Sequence, residues 1–185
     1  MNKLFTAFIF SLLFHYANAQ YVKVLTAGTK TSLRGLSVVT DKIIWASGSN
    51  GTVAKSLDGG ETWKWFTVKG FEKNDFRDIE AFNDTTAIIM AIDEPAFILK
   101  TTDGGESWKT VYKNITRGMF LDAMDFWDNK NGIVVGDPIK GQFFIAHTNN
   151  GGDTWIEDLI NERLRPKTDF FYSIIDKKKD SYLLA

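Results

Sequence analysis

An eight-residue motif occurs three times in this chain of 185 residues. Its copies, at residues 56–63, 101–108 and 148–155, each contain two consecutive glycines and end in tryptophan. The three tryptophans are spaced by 45 and then 47 residues. A period of this length is typical of repeated supersecondary units, most often the four-stranded blades of a β-propeller. The repeat therefore predicts an all-β propeller.

Short runs of alternating apolar and polar residues, separated by Gly, Asn and Asp, surround each motif. Four strands of five or six residues joined by short loops use up about 45 residues, which matches the period. The predicted strands are 33–40, 43–48, 52–56, 63–68, 76–82, 86–92, 96–101, 108–112, 121–127, 132–136, 142–147 and 155–159. They define blades at 31–69, 75–114 and 120–160, and an incomplete fourth at 169–185.

Three and a half blades cannot close a ring, because propellers have four to eight blades. We therefore expect residues 20–185 to be the N-terminal part of a propeller of six to eight blades. The alternative is a partial ring that a second copy completes. A short predicted strand at 21–25 fits the first interpretation, since it can supply the outermost strand of the final blade.

The first 19 residues have the pattern of a signal peptide. Lys3 precedes an apolar run at 4–14, and small residues stand at Ala17 and Ala19. The run is shorter than the roughly 20 residues that a membrane-spanning helix needs. The sequence predicts cleavage between Ala19 and Gln20, and a secreted or periplasmic protein.

Composition excludes several classes of function. A net charge of −1 indicates neither a nucleic-acid partner nor a membrane surface. The absence of cysteine excludes disulfides, thiol catalysis and thiolate metal sites. His147 is the one histidine that follows the predicted signal peptide, and a single histidine without cysteine makes no transition-metal site. We predict no metal and no cofactor.

The motif itself has the chemistry of a turn. Its glycine pair permits positive φ angles, and Asp58 can accept hydrogen bonds from turn amides and neighbouring hydroxyls. Trp63 is expected to pack against the next sheet. In the third copy Asn150 keeps the acceptor oxygen and loses the charge, a change that a catalytic carboxylate would not tolerate. We assign a structural role to Ser56, Asp58, Gly60, Trp63, Thr101, Asp103, Gly105, Trp108, Thr148, Asn150, Gly152 and Trp155.

The pattern Ser/Thr-x-Asp-x-Gly-x-Thr/Ser-Trp resembles the Asp-box of the BNR repeat, which sialidases share with many other secreted propellers. Residues 98–105, Ile-Leu-Lys-Thr-Thr-Asp-Gly-Gly, are similar to the photosystem II stability/assembly-factor group. The resemblance covers residues 21–185. It implies a propeller that acts in binding or assembly, and it specifies the fold more closely than the function.

A candidate site follows from aligning the first strands of the blades. Arg34, Arg77, Asp122 and Tyr172 fall at the same place in successive blades, where strand starts converge on the central funnel. The turns between the second and third strands add further acids, Asp93, Glu94 and Asp137. Two guanidiniums can hold a carboxylate or phosphate bidentately. The alternative is that these charges pair with one another and brace the funnel.

Two functions remain open at this point. The first is a propeller that presents its funnel to a protein partner, with a basic loop at 161–168 nearby. The second is a sialidase-like glycoside hydrolase or lyase that acts on extracellular carbohydrate through Asp122 and Asp137. Against a sialidase, Asp41 lies in a turn on the opposite face and the Phe-Arg-Ile-Pro signature is missing. An oxidoreductase finds no support, because residues 48–51 form a hairpin turn with no helix after it.

Overall fold

The computed structural model describes residues 30–92 and 94–161. These residues form three four-stranded antiparallel sheets, each with its strands in sequence order, and they contain no helix. The architecture confirms an all-β fold built from propeller blades. The strands are β1 (Leu33–Val38), β2 (Ile44–Gly48), β3 (Thr52–Ser56), β4 (Lys64–Thr67), β5 (Phe76–Ala81), β6 (Ala87–Ala91), β7 (Ala96–Thr101), β8 (Lys109–Asn114), β9 (Leu121–Phe126), β10 (Gly132–Ile139), β11 (Gln142–Thr148) and β12 (Ile156–Asn161). Nothing in the described segments is a helix long and apolar enough to cross a membrane.

Strand β10 is longer than its sequence pattern predicts. The expected strand ends at Gly136, whereas β10 continues to Ile139. An irregularity in its pairing with β11 between Gly136 and Ile139 accommodates Pro138, which cannot donate to a ladder. Asp137 therefore lies within the extended strand and not in the turn where we predicted it.

The core lies between the blades. Strand β6 is buried along its whole length because it is covered on both faces. Ile88 and Met90 belong to the cluster shared with the third blade, and Ile89 belongs to the cluster shared with the first. Because successive side chains of a strand point to opposite faces, β6 contributes to both clusters. Each blade is therefore stabilised by burial against its neighbours.

The tryptophans of the repeated motif pack in the direction opposite to our expectation. Trp108 of the second blade packs against the cluster shared with the first blade, and Trp155 of the third against the cluster shared with the second. The motif is seated on the preceding blade: a Cβ atom at Gly105 would lie 3.3 Å from the ring of Trp45. The ring that follows the turn is therefore directed toward the preceding sheet and not the next one.

Lysines from one blade reach the motif of the next. Lys55 Nζ donates to the carbonyl oxygens of Asp84 and Gly104 at 2.8 and 2.9 Å. One blade further, Lys100 Nζ donates to the Gly151 carbonyl at 2.8 Å. The equivalent position in the third blade is His147, which contacts Asp158 of its own blade. These lysines tie consecutive blades together on the face that carries the repeated motif.

Candidate functional site

Three of the aligned residues occupy the same backbone feature in their blades. Arg34, Arg77 and Asp122 each lie where the pairing between the first and second strands shifts by one residue, so each is the extra residue of a β-bulge. A bulge bends its strand and redirects the side chain of the extra residue. Three blades therefore present a charged side chain from an equivalent place.

A close approach of β1 to β5 brings two of these bulges together. A Cβ atom on Gly35 would lie 2.9 Å from backbone atoms of Asp78, so only glycine fits there. Further along, Ser37 Oγ accepts a hydrogen bond from the Ala81 amide at 3.0 Å. The residues that precede Gly35 and Asp78 are Arg34 and Arg77.

Asp78 joins the second blade to the third. Its Oδ2 accepts a hydrogen bond from the Met124 amide at 2.9 Å, and its Oδ1 accepts one from the Ile79 amide at the same distance. Burial raises the pKa of Asp78, and the two amide hydrogen bonds oppose that rise. The carboxyl of Asp78 is thus a structural acceptor beneath the bulges.

Four side chains line an open cleft of about 440 Å³ at this point: Arg34, Arg77, Asp78 and Asp122. Three successive blades contribute to it. The cleft contains two guanidiniums from adjacent strands and two carboxyls. This composition favours small anionic or hydrogen-bonding groups over apolar ligands.

Among the residues that the structure describes, no carboxylate holds either guanidinium tightly. Arg34 Nη2 lies 3.5 Å from Asp75, and Arg77 Nη2 lies 3.8 Å from Asp122. Both separations exceed the roughly 2.7–2.9 Å of a charge-assisted hydrogen bond. Arg77 is fixed instead through its Nε, which donates to the Asp122 carbonyl at 3.0 Å, and by the ring of Phe120 at 5.4 Å. More than a third of each arginine side chain is exposed, so donors of both guanidiniums face solvent.

Neighbouring groups shift the pKa of Asp122 in opposite directions. Desolvation raises its pKa first, the neighbouring carboxyl of Asp137 raises it further, and Arg77 lowers it. Asp137 reaches this place because β10 continues past Gly136, where the Asp137 amide donates to the Phe120 carbonyl at 2.9 Å. The Asp137 carboxyl is therefore a like-charged neighbour of Asp122.

Glu94 does not join the cleft. Its Oε1 accepts a hydrogen bond from the Gly118 amide, which ties the turn after β6 to the loop before β9. This contact with a loop 24 residues further along the chain takes the place of the predicted funnel role of Glu94. Asp93, Tyr172 and the basic loop at 161–168 lie in parts of the chain outside those the structure describes, apart from Asn161 at the end of β12.

The repeated motif lies on the other face. Asp58 Oδ1 accepts hydrogen bonds from the Ser56 hydroxyl at 2.8 Å and the Thr62 amide at 2.9 Å, and Gly59 donates to the Lys42 carbonyl of the first turn. Asn150 makes the equivalent bonds in the third blade. Hydrogen bonds from Thr62 and Ser56 lower the pKa of Asp58 from 3.8 to about 2, so it stays a bound acceptor.

Sequence reasoning missed three contributors to the cleft. Asp75, in the loop before β5, pairs with Arg34. Asp78 lines the cleft, and the ring of Phe120 packs against the Arg77 guanidinium. The position of Asp78 directly after Arg77 was the available signal, since the residue after a bulge returns to the sheet face. Among the described residues, no group of three or more His, Asp or Glu side chains could hold a metal ion.

The fold and this cleft define the class: a β-propeller of four-stranded blades with a charged funnel cleft. The chain is similar to the solved structure of YCF48 bound to a D1 peptide, with 25% identity and a TM-score of 0.55 over 70% of this chain and 41% of that one. It is also similar to YCF48 from Cyanidioschyzon merolae, with 21% identity and a TM-score of 0.57 over 78% of this chain and 46% of that one. The predicted resemblance to the photosystem II assembly-factor propellers is confirmed.

A third similar structure is the GH74 enzyme of Niastella koreensis, at 17% identity and a TM-score of 0.44 over 69% of this chain and 30% of that one. Likeness at this level carries no argument about activity. No protein-family model and no curated protein matches the chain. The chain spans less than half the length of the YCF48 structures that it resembles.

Proposed function

We propose that this chain belongs to an exported β-propeller that binds an acidic segment of a protein partner in the cleft of Arg34 and Arg77. The observation that carries the proposal is the pair of equivalent bulges, which places two loosely paired guanidiniums side by side. Export is supported by the signal-peptide pattern of residues 1–19. The similarity to YCF48, solved with a D1 peptide, supports a peptide as the kind of ligand.

The chemistry of the cleft suits a carboxylate. Each guanidinium offers planar donors that match the two oxygens of a carboxylate, and a hydrogen bond to a charged group contributes roughly 1.5–3 kcal/mol. The Phe120 ring limits where the Arg77 guanidinium can move, which reduces the entropy lost on binding. Asp78 and Asp122 line the same cleft, and their negative charges confine the bound carboxylate to the side of the two guanidiniums.

The test is the affinity of the full-length chain for a fluorescein-labelled tetraglutamate peptide, measured by fluorescence anisotropy. Removing both guanidiniums with Arg34→Ala plus Arg77→Ala should weaken binding at least about tenfold, which corresponds to roughly 1.4 kcal/mol. The control is Lys42→Ala plus Lys109→Ala, which removes the same charge from exposed positions on the face of the repeated motif. Equal weakening in both variants would contradict the proposal.

A second candidate function, cleavage of a glycosidic bond, rests on the Asp122–Asp137 contact. Glycosidase carboxyls are separated by roughly 5–5.5 Å in retaining enzymes and 6.5–9.5 Å in inverting ones. Asp137 is a like-charged neighbour of Asp122, and Asp122 also pairs with Arg77 at 3.8 Å, so the two carboxyls are not set apart as a separate acid and base. We expect no turnover of a glycoside panel by the full-length chain. Turnover that is lost in an Asp122→Asn variant would favour the enzyme over the binding module.

A further inference from the structure

The cleft already contains an anion that competes for Arg77. Asp122 contributes a carboxylate 3.8 Å from the Arg77 guanidinium, and its own backbone carbonyl accepts the Nε donor at 3.0 Å. An incoming carboxylate or sulfate that uses the outer donors of Arg77 can leave the Nε bond intact. It must, however, share the positive charge that now stabilises ionised Asp122.

The groups that face Asp122 determine what happens when that charge is shared. Asp137 approaches from β10, Asp78 lies on the wall that β5 contributes, and Arg34 from β1 lines the same cleft. Arg77 is the cation whose charge favours ionisation of Asp122. A ligand that neutralises Arg77 leaves Asp122 next to Asp137 without the cation that favours its ionisation. Asp122 relieves this repulsion by binding one proton.

We propose that anion binding in the cleft displaces Asp122 from Arg77 and is coupled to the uptake of one proton by Asp122. This inference rests on the proposed function, since it concerns regulation of the same site. Asp122 then acts as an internal competitor that weakens anion binding at neutral pH, and acidification strengthens this binding.

The sign follows from linkage. The pKa of Asp122 is raised in the unliganded protein by desolvation and by Asp137, and neutralising Arg77 raises it further. The liganded state therefore binds more protons than the free state, and affinity increases as the pH falls toward the titration of Asp122. One linked proton changes the dissociation constant at most about tenfold per pH unit. The window lies above the ordinary aspartate pKa of about 3.9.

The experiment is calorimetric titration of the full-length chain with inorganic sulfate, which remains a dianion throughout the range. Measurements at about pH 4.5 and about pH 7, in paired buffers of different ionisation enthalpy, give both affinity and proton uptake. We expect binding roughly three- to tenfold tighter at the lower pH, with net proton uptake. Asp122→Asn should bind more tightly at neutral pH and lose the pH dependence. Asp137→Asn should reduce the pH dependence, and Asp41→Asn on the opposite face should behave as the wild type.

Each outcome has a defined meaning. Equal affinity at both pH values, or pH dependence that persists in Asp122→Asn, would overturn the inference. If either result is obtained and sulfate binding is lost in Arg34→Ala plus Arg77→Ala, the proposed function stands and the inference of proton coupling fails. Sulfate binding that survives this double change contradicts the proposed function. Absence of any saturable sulfate binding overturns the inference, and the tetraglutamate measurement then decides the proposed function by itself.

Discussion

Lys100 of the second blade donates a hydrogen bond to the Gly151 carbonyl of the third, at 2.8 Å. Lys55 and Gly104 repeat this contact at 2.9 Å one junction earlier. The lysine stands one residue before the first hydroxyl of the first two motifs, so these two repeats encode both the turn and the contact with the next turn. The contact between blades is therefore polar at one face and apolar in the middle.

Replacing Lys100 with methionine should destabilise the propeller. The side chain of Lys100 is only 13% exposed, and its Nζ also binds Asp153 at 2.7 Å. Methionine keeps the apolar stem but leaves the Gly151 carbonyl without its charged donor. We expect a loss of about 1–3 kcal/mol in the free energy of unfolding, measured by urea denaturation.

Lys64→Met provides the control for this loss. Lys64 also pairs across the first junction, with Glu106, but both side chains are more than 60% exposed. Exposed pairs of this kind contribute roughly 0–1 kcal/mol. If Lys64→Met costs as much as Lys100→Met, the lysine-to-carbonyl tie has no special role.

The motif carboxylates should make stability depend on acid pH. Hydrogen bonds from Ser107 and Thr101 lower the pKa of Asp103 from 3.8 to about 2, as Thr62 and Ser56 do for Asp58. A depressed pKa means that the stabilisation is complete above the unfolded value and is lost as the pH falls from about 4 to about 2. Thermal unfolding between these pH values should show a steeper loss for the wild type than for Asp58→Asn plus Asp103→Asn.

The third copy supplies the matched comparison. Asn150 makes the same acceptor contacts without a charge, so Asn150→Asp should add acid sensitivity where the double variant removes it. An unchanged acid slope in both variants would show that the motif carboxylates titrate alike in the folded and unfolded chains.

Gly35→Ala should separate the first two blades at the cleft. The added methyl group would meet the Asp78 backbone at 2.9 Å, and backbone atoms cannot move aside as a flexible side chain can. We expect destabilisation of roughly 1–3 kcal/mol by denaturation, as for other overpacked positions. Weaker tetraglutamate binding should accompany it, because Arg34 and Arg77 would move apart. Unaltered stability and affinity would show that the close approach of β1 and β5 does not position the arginines.

The strands and their order could be predicted because alternation and turn residues are local signals. The observed bounds differ from the predicted ones by at most three residues, the largest difference being the extension of β10 through Asp137 and Pro138 to Ile139. That extension depends on an irregular pairing with β11, a tertiary feature that no local pattern contains. The direction of Trp108 and Trp155 depends in the same way on which sheet each turn is seated against.

The candidate site could be predicted in part. Register alone aligns Arg34, Arg77 and Asp122, and the structure places all three at bulges. The use of Glu94 could not be predicted, because its partner is a backbone amide 24 residues away, at Gly118. The contribution of Asp75 could not be predicted either, because Asp75 belongs to a different blade from its partner Arg34.

The most direct test of the binding site is a crystal structure of the full-length chain with an acidic peptide such as tetraglutamate. We predict a peptide carboxylate within hydrogen-bonding distance of both guanidiniums, Arg34 and Arg77, with the Asp122 carboxyl moved away from Arg77. Peptide density on the opposite face, or in the cleft without contact to either arginine, would contradict the proposed binding site.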